Sequence, residues 1–353
     1  MVSLIEGSGP IEVVESLDIE SIPKGQLTRL LVSLTHDGLS RPVQVPVLVA
    51  RGTKPGPVFG MTAAVHGNEL NGIPVIHGLF ERIQTQSLRG TVVAVLVANV
   101  PGYLMQQRRF EDDFDLNLIM PGRASGNASG VYAHRLLDRI VKHFDYLLDL
   151  HTASFGRVNS LYIRADMTHP VTSQMAYLQR PQIILHNPAS DYTLRGAAME
   201  MGIPAITVEI GNPHRFHPEY VKRTLRGVRA VLAEAGMLPK RPMAEGKPPI
   251  LCQRSYRIFT DCGGLLRVFP HVTDTFEEGE VIAELRNIYG DVIREYRAPE
   301  AGIVIGKNVN PVAQTGARLF HLGILATEDN QFLPRRPWKS RTKPGQKEAG
   351  GES

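Results

Sequence analysis

Two histidines and two glutamates occur where metal or acid–base chemistry could be assembled, because each closely follows a short apolar run. His66 and Glu69 lie in the tetrapeptide His-Gly-Asn-Glu, and His151 and Glu209 follow two later apolar runs. Two histidines and one carboxylate are a ligand set of catalytic Zn²⁺ sites that leave a fourth position for water. We therefore predict that His66, Glu69 and His151 bind one Zn²⁺ per subunit, with Glu209 beside them as an acid–base group.

Each of these residues also has a purely structural interpretation. With 12 histidines in the chain, about one His-x-x-Glu pair is expected by chance. His151 could simply be hydrogen-bonded at a strand end, and Glu209 could pair with a neighbouring arginine. The joint arrangement favours a site, since three strand ends each supply a suitable side chain. Asp149 shares a strand face with His151, where it either orients that histidine or caps the backbone.

Other candidate groups have less support. His214 and His217 lie in His-Arg-Phe-His-Pro, which we interpret as a loop near the mouth of the site, although their spacing also suits a metal. The acidic cluster 111–115 is interpreted as a solvated turn rather than a second metal site. Cys252 and Cys262 are too few for a disulfide framework and lie far along the chain from the predicted ligands. We expect a reduced, cytoplasmic protein.

From residue 57 onwards, apolar runs of strand length alternate with stretches of helical pattern. The predicted strands are 58–65, 91–98, 146–150, 161–163 and 205–208, and the predicted helices are 72–83, 131–142, 170–179, 192–201 and 218–235. This alternation predicts an α/β fold with a mixed, largely parallel sheet and helices on both faces. The carboxyl ends of parallel strands share one edge of the sheet, which is where ligands bind in such folds.

The remaining segments differ in composition. Short strands over 11–50 are assigned to the same α/β domain, 1–237, which carries the predicted zinc ligands. A proline-rich linker, 238–249, leads to a block of short strands, 250–326, that predicts a small all-β domain of sandwich or barrel-like form. Residues 327–353 are rich in Pro, Gly and Lys and predict a basic, disordered tail.

Charge and hydropathy argue against several classes of partner. The formal net charge is +4, and basic residues exceed acidic ones by four from Arg335 onwards, so the rest of the chain is neutral. We therefore expect no nucleic-acid partner. The longest apolar run, 91–100, is shorter than the roughly 18 residues of a membrane span, and residues 1–15 lack a secretory pattern. No membrane partner is expected, and a homo-oligomer is left open.

Seven short motifs strengthen the prediction because of their order. They are Ala-Val-His-Gly-Asn-Glu (64–69), Asn-Val-Pro-Gly (99–102), Arg-Arg-Phe (108–110), Asp-Leu-Asn (115–117), Pro-Gly (121–122), Asp-Leu-His (149–151) and Thr-Val-Glu-Ile-Gly (207–211). As a set, they resemble the succinylglutamate desuccinylase/aspartoacylase family, which is related to zinc carboxypeptidases. The resemblance covers about residues 57–215. It implies a zinc carboxypeptidase-like fold and a hydrolase that removes an acyl group from the nitrogen of an amino acid.

The resemblance also implies residue roles around the predicted zinc ligands. Glu209 takes a proton from the attacking water and later gives it to the leaving amine. Arg108 stabilises the oxyanion that forms on the amide carbonyl, and the adjacent Arg109 is the second candidate for this role. The expected activity is a zinc-dependent hydrolysis of amide bonds other than peptide bonds.

One position departs from the family pattern. The family has Asp-Leu-Asn-Arg, in which the arginine binds a substrate carboxylate, whereas this chain has Leu118 in that place. An aliphatic side chain cannot replace a bidentate guanidinium. Either Arg123 or Arg195 substitutes for it, or the substrate lacks that carboxylate. We predict that Asn117, Arg109 and Arg195 bind the substrate, a small N-acyl amino acid or similar amide.

The C-terminal block resembles a biotinyl/lipoyl-like β sandwich at its turns, such as Ala-Pro-Glu-Ala-Gly at 298–302. It lacks a lysine at a hairpin tip, so we expect a role at the mouth of the active site or in subunit contact rather than cofactor carriage. Two alternative functions stay open. One is a carboxypeptidase-type enzyme that releases a C-terminal residue, and the other is a non-catalytic binding or scaffold protein.

Overall fold

The computed structural model describes residues 10–189, 191–242 and 246–327. The predicted tail lies outside these residues from position 328 onwards, as do residues 243–245 of the predicted linker. The strands are β1 (Ile11–Val14), β2 (Gln26–His36), β3 (Pro42–Arg51), β4 (Lys54–Ala63), β5 (Arg89–Val95), β6 (Tyr146–His151), β7 (Arg157–Asn159), β8 (Leu161–Ala165), β9 (Ile183–His186), β10 (Ala205–Ile210), β11 (Ile250–Phe259), β12 (Gly264–Val268), β13 (Thr275–Phe276), β14 (Val281–Arg286), β15 (Val292–Arg297), β16 (Gly302–Asn308), β17 (Val312–Ala313) and β18 (Arg318–Leu325). The helices are α1 (Gly72–Phe80), α2 (Val100–Leu104), α3 (Ala128–Arg139), α4 (Pro170–Leu178), α5 (Leu194–Glu200) and α6 (Pro218–Glu234), with two 3-10 turns, Leu116–Leu118 and Val141–His143.

A 14-stranded sheet forms the frame of the molecule. Its strand order is β1-β2-β3-β5-β4-β6-β10-β8-β9-β11-β18-β16-β13, with β7 paired to β16. The central strands β5, β4, β6 and β10 are parallel to one another, and β8 runs antiparallel to β10. The predicted mixed, largely parallel α/β sheet is therefore confirmed.

Helices cover both faces of this sheet because each has an apolar side that it must bury. α1, α4 and α6 share one hydrophobic core with the sheet, whereas α3 and α5 share the other. In α6, Leu225, Val228 and Leu232 recur at the spacing of one helix face and are buried. No helix within the described ranges combines the length and the apolar character needed to cross a membrane.

The C-terminal strands form two groups rather than one. β12, β14, β15 and β17 build a separate four-stranded antiparallel sheet, as expected for a small all-β block. β11, however, pairs in parallel with β9, so that β11, β18, β16 and β13 continue the large sheet. β16 also pairs with β7, next to the strands that carry the site. Hydrogen bonds thus join the two blocks, and the predicted domain limits stay a prediction.

Candidate active site

The turn after β4 brings His66 and Glu69 together. The backbone N–H of Glu69 donates to the carbonyl of His66 at 3.0 Å, which closes a tight turn. Within it, Nδ1 of His66 lies 2.9 Å from Oε1 of Glu69, and both side chains are buried. Gly67 lies between them with its Cα against the backbone of Gly102, where a Cβ would overlap the chain. The turn is therefore packed tightly in place.

His151, the last residue of β6, supplies the third group. Its Nδ1 lies 3.0 Å from Oε2 of Glu69 and 3.2 Å from Nδ1 of His66. The backbone N–H of Thr152 donates to the same Oε2 at 3.0 Å, which holds the Glu69 carboxylate. The structure thus brings together the three predicted ligands, whose ligating atoms all lie within 4.8 Å of one another.

This arrangement fits a zinc ion. Zinc bonds of 2.0–2.1 Å in a tetrahedron place neighbouring ligand atoms about 3.3 Å apart, close to the spacings of 2.9–3.2 Å found here. The outer ring nitrogens are also engaged as in metal sites, where a carboxylate usually accepts the second N–H. Nε2 of His151 lies 2.8 Å from Oδ2 of Asp149, and Nε2 of His66 lies 3.1 Å from Oδ1 of Asp115.

The charges in this cluster favour a cation. Burial raises the pKa of Glu69, but His66, His151 and Arg108 outweigh burial and hold that pKa well below its usual range. Burial lowers the pKa of His151, but Asp149 and Glu69 outweigh it and hold that pKa well above its usual range. A buried cluster of ionised carboxylates around two imidazoles is suited to a divalent metal.

Asp115 corrects one sequence interpretation. The cluster 111–115 was expected to form a solvated turn, yet the Asp115 side chain is only 12% exposed. It bonds to His66 and accepts from Nε of Arg108 at 3.0 Å. Burial opposes ionisation of Asp115, but His66 and Arg108 outweigh burial and hold its pKa well below its usual range. This carboxylate therefore belongs to the site.

Glu209 lies inside β10, where it is the register partner of His151 on β6. The side-chain amide of Asn159 donates to Oε2 of Glu209 at 3.1 Å, and Nε of Arg164 lies 3.5 Å from Oε1. Glu209 therefore does pair with an arginine, as its purely structural interpretation predicted. Glu209 nevertheless faces the same cavity as the predicted ligands, where a carboxylate can exchange a proton with water.

The two adjacent arginines have different surroundings. Arg108 donates to Oε1 of Glu69 at 2.7 Å and to the hydroxyl of Ser154 at 2.6 Å, and it lines the cavity. Arg109 instead donates to the carboxylate of Asp113 at 3.0 Å, has a side chain 53% exposed and lies outside the residues that line the cavity. The structure does not bring Arg109 to the site.

The residues predicted to bind the substrate differ in whether they line the cavity and in whether their polar atoms are free to bind a ligand. Asn117 lines the cavity, but its Oδ1 accepts from the N–H of Leu194 at 2.8 Å and so fixes the start of α5. Arg195 also lines the cavity, yet it is buried and donates to Asp191 at 2.7 Å and to Asn187. Leu118 reaches the cavity with a largely exposed side chain, whereas Arg123 does not line it.

The histidines of the 214–217 segment lie beside the site rather than in it. Nε2 of His214 lies 3.3 Å from the amide nitrogen of Asn68, within the His66–Glu69 turn. His217 precedes α6 and stacks on Tyr220. Neither lines the cavity, consistent with the predicted loop role. Cys252 and Cys262 are free thiols away from the three-ligand cluster.

The cavity has a volume of about 190 Å³ and is lined in part by residues that the sequence patterns did not predict to be there. Asn159 and four arginines, 157, 164, 257 and 318, line it together with the predicted groups. Arg164 directly follows the predicted strand 161–163. A polar residue after an apolar run, the pattern that indicated His151 and Glu209, could therefore have indicated Arg164 as well. Arg257 and Arg318 come from β11 and β18, and no local pattern indicates that these strands reach the site.

Comparison with known proteins gives a consistent result. The profile of the succinylglutamate desuccinylase/aspartoacylase catalytic domain matches residues 55–235. A curated relative, the N-alpha-acetyl-L-2,4-diaminobutyric acid deacetylase of Halomonas elongata, is 23% identical over 278 residues, which cover 75% of this chain and 81% of the relative.

Solved structures support the fold. The product-bound ectoine utilization protein EutE (DoeB) of Ruegeria pomeroyi is 20% identical, with a TM-score of 0.78 over 86% of this chain and 98% of that chain. A succinylglutamate desuccinylase/aspartoacylase of Rhodobacter sphaeroides is also 20% identical, with a TM-score of 0.77 over 87% of this chain and 98% of that chain. At this identity, the likeness establishes the fold alone.

Proposed function

Because the chain belongs to the succinylglutamate desuccinylase/aspartoacylase family, we propose that it is a zinc-dependent amidohydrolase that deacylates an N-acyl amino acid or a similar small amide. One observation carries this proposal. A single cavity is lined by His66, Glu69 and His151, which could together hold a metal ion, and also by Glu209 and Arg108. A metal site, a carboxylate and a guanidinium around one space are the parts that hydrolysis of an amide by water requires.

The residues divide the work as follows. His66, Glu69 and His151 would hold Zn²⁺, which would supply a Lewis acid that lowers the pKa of water towards neutrality. Glu209 accepts a proton from the attacking water and returns it to the leaving nitrogen, which must leave as a neutral amine. Arg108 donates hydrogen bonds towards the oxyanion that develops on the acyl carbonyl.

The size of the cavity favours a small substrate. Its volume of about 190 Å³ is below the roughly 300–1,000 Å³ of pockets that enclose drug-sized ligands. This space suits an N-acyl amino acid. The family and the named deacetylase relative support the same class of amide hydrolysis.

A substitution of Glu209 tests the proposal. Purified zinc-loaded protein is incubated with a panel of N-acetyl and N-succinyl amino acids and short peptides, and the products are identified by mass spectrometry. We expect release of an amino acid and its acyl acid by the wild-type protein. Glu209→Gln should retain zinc and lose about 10²–10⁴-fold in kcat, while Glu200→Gln, a surface change on α5, should be fully active.

The possible outcomes separate the alternatives. Turnover by Glu209→Gln above a few per cent of wild type would refute the general-base role. If peptides alone lost a C-terminal residue, the carboxypeptidase function would replace deacylation. A wild-type protein that bound no zinc would refute the proposed metal site.

A further inference from the structure

Three arginines that the proposed mechanism does not use line the catalytic cavity. Arg157 lies on β7, Arg257 on β11 and Arg318 on β18. All three also line a neighbouring groove of about 660 Å³, which extends from the cavity over the C-terminal strands. They therefore stand where the catalytic cavity meets the outer groove.

These three guanidinium groups have no acidic partner. Among the residues that the structure describes, no carboxylate lies within 4.0 Å of the side-chain nitrogens of Arg157, Arg257 or Arg318. The other arginines of the cavity differ, since Arg108 pairs with Glu69 and Arg164 with Glu209. Arginines elsewhere in the C-terminal strands are paired too. Arg254 binds Glu300, Arg286 binds Glu284, Arg294 binds Asp261 and Arg297 binds Glu295.

Placing these cations together is unfavourable. Burial first, and then the charges of Arg157 and Arg257, lower the pKa of Arg318 to about 9. The pKa of Arg157 and that of Arg257 are also lowered, again by burial first and then by neighbouring arginines. Apart from its C-terminal tail, the chain carries no net charge, so this local excess is not part of a generally basic surface. An anion between the three groups would remove the repulsion.

The chemistry of arginine defines the anion. Each guanidinium presents a planar set of N–H donors that matches two oxygens of a carboxylate or phosphate. Three guanidinium groups carry more N–H donors and more positive charge than a single carboxylate can match. We therefore expect a ligand group with at least two negative charges. They also disfavour a substrate whose far end is a cationic amine, because like charges repel.

We propose that Arg157, Arg257 and Arg318 form an anion subsite that binds a multiply charged oxyanion group, either a phosphate or a set of carboxylates, at the end of the substrate distant from the scissile amide. That the bound anion is part of a substrate rests on the proposed deacylase function. Anion binding by the three arginines does not depend on that function. The subsite lies on β7, β11 and β18, apart from the Leu118 position, and it gives the C-terminal strands a part in substrate selection.

Direct binding is the first test. Tricarballylate, inorganic phosphate and the monoanion butyrate are titrated calorimetrically into the zinc-loaded wild-type protein, the Arg257→Gln variant and the Arg157→Gln/Arg257→Gln/Arg318→Gln variant. We expect tricarballylate or phosphate to bind more tightly than butyrate. Arg257→Gln should weaken that binding about tenfold and the triple variant about 100-fold or more. Which of the two polyanions binds more tightly distinguishes a carboxylate ligand from a phosphate.

The controls make the test specific. Arg254→Gln removes a charge from the same strand, but that charge is paired with Glu300, so its anion affinity should equal wild type. Because the Arg257 side chain is partly exposed to solvent at the rim of the groove, its single variant is expected to fold even if the triple variant does not. Equal affinity of the wild-type protein and Arg257→Gln for both polyanions would overturn the subsite, as would equal binding of butyrate.

A kinetic comparison separates this inference from the proposed function. N-acetyl-O-phosphoserine and N-acetylserine form one substrate pair, and N-acetylglutamate and N-acetylglutamine form another. We expect kcat/KM to favour the more anionic member of at least one pair by about tenfold or more, and Arg257→Gln to reduce that preference. If polyanions bind through the arginines but no amide is cleaved, the subsite stands and the deacylase function fails. If amides are cleaved with no dependence on Arg257, the deacylase function stands and the anion subsite fails.

Discussion

Asp149 and His151 form a buried pair in which Oδ2 of the carboxylate lies 2.8 Å from Nε2 of the imidazole. The hydroxyl of Thr62 donates to the other carboxylate oxygen at 2.7 Å, so the Asp149 side chain is held at both ends. Asp149 thus engages Nε2 and leaves Nδ1, which faces Glu69 and His66, as the ring nitrogen that would bind a metal. The pair therefore selects the nitrogen that can bind metal.

Replacing Asp149 tests this relationship. Asp149→Asn should fold but bind zinc about 10–100-fold more weakly, because an amide holds the imidazole less firmly and makes it less basic. Zinc affinity is measured by competition with a chelator of known strength, and circular dichroism checks the fold. Asp138→Asn removes a surface carboxylate paired with Lys142 and should bind zinc normally. Wild-type zinc affinity in Asp149→Asn would contradict the assignment.

The adjacent arginines provide a matched comparison of position. Arg108→Ala should keep zinc but lower kcat by about 10²–10³-fold, since it removes a donor aimed at the developing oxyanion. Arg109→Ala removes the same charge one residue away, at the surface beside Asp113, and should leave kcat within a factor of about two. Steady-state kinetics and zinc content are measured for both variants. An equal loss of kcat in the two would mean that net charge, not geometry, is responsible.

The sequence was sufficient to predict which side chains of the candidate site lie together, because parallel strands carry their ends to one edge of the sheet. His66 follows β4, His151 ends β6 and Glu209 lies on β10, and these three strands are neighbours in the sheet. The pairing of Glu209 with His151 is a direct consequence of that parallel register. A local pattern of apolar runs and following polar residues was therefore sufficient to group these side chains.

The outer part of the site could not be predicted in this way. Arg157, Arg257 and Arg318 meet because β11 pairs with β9 and β16 pairs with β7, contacts between segments far apart in the chain. Nothing in the residues near Arg257 or Arg318 specifies those partners. Asn159, which donates to Glu209, lies on the same short β7 strand. Residues brought together by pairing between strands far apart in the chain leave no periodic signal of their own.

Gly67 is a structural requirement of the His66–Glu69 turn. A Cβ at this position would overlap the backbone of Gly102 and Tyr103, which cannot move aside as a side chain could. Gly67→Ala should therefore destabilise the protein by about 1–3 kcal/mol and reduce zinc affinity, since the turn that carries two ligands is displaced. Thermal unfolding and zinc competition are the measurements. Gly38→Ala, where a Cβ meets nothing within 4 Å, should change neither, and unchanged zinc binding in Gly67→Ala would contradict this account.

His321, a buried residue of β18 near Arg257 and Arg318, makes the free energy of unfolding depend on pH. Burial first, and then the charges of Arg164, Arg318 and Arg257, hold the pKa of His321 well below the ordinary histidine value of 6.5. Below pH 6.5 the unfolded chain therefore binds a proton at this histidine that the folded protein does not, and stability falls as the pH falls.

Replacing His321 by a neutral residue removes this dependence. Between pH 7.5 and pH 5.5, the wild-type protein should lose about 1 kcal/mol more of its free energy of unfolding than His321→Gln. Urea denaturation at both pH values measures the difference, in which the contributions of other titrating groups cancel. His36→Gln, a change at an exposed histidine of β2, should behave as wild type. If His321→Gln lost as much stability on acidification as the wild-type protein, His321 would not be a group whose protonation is opposed by burial and the neighbouring arginines.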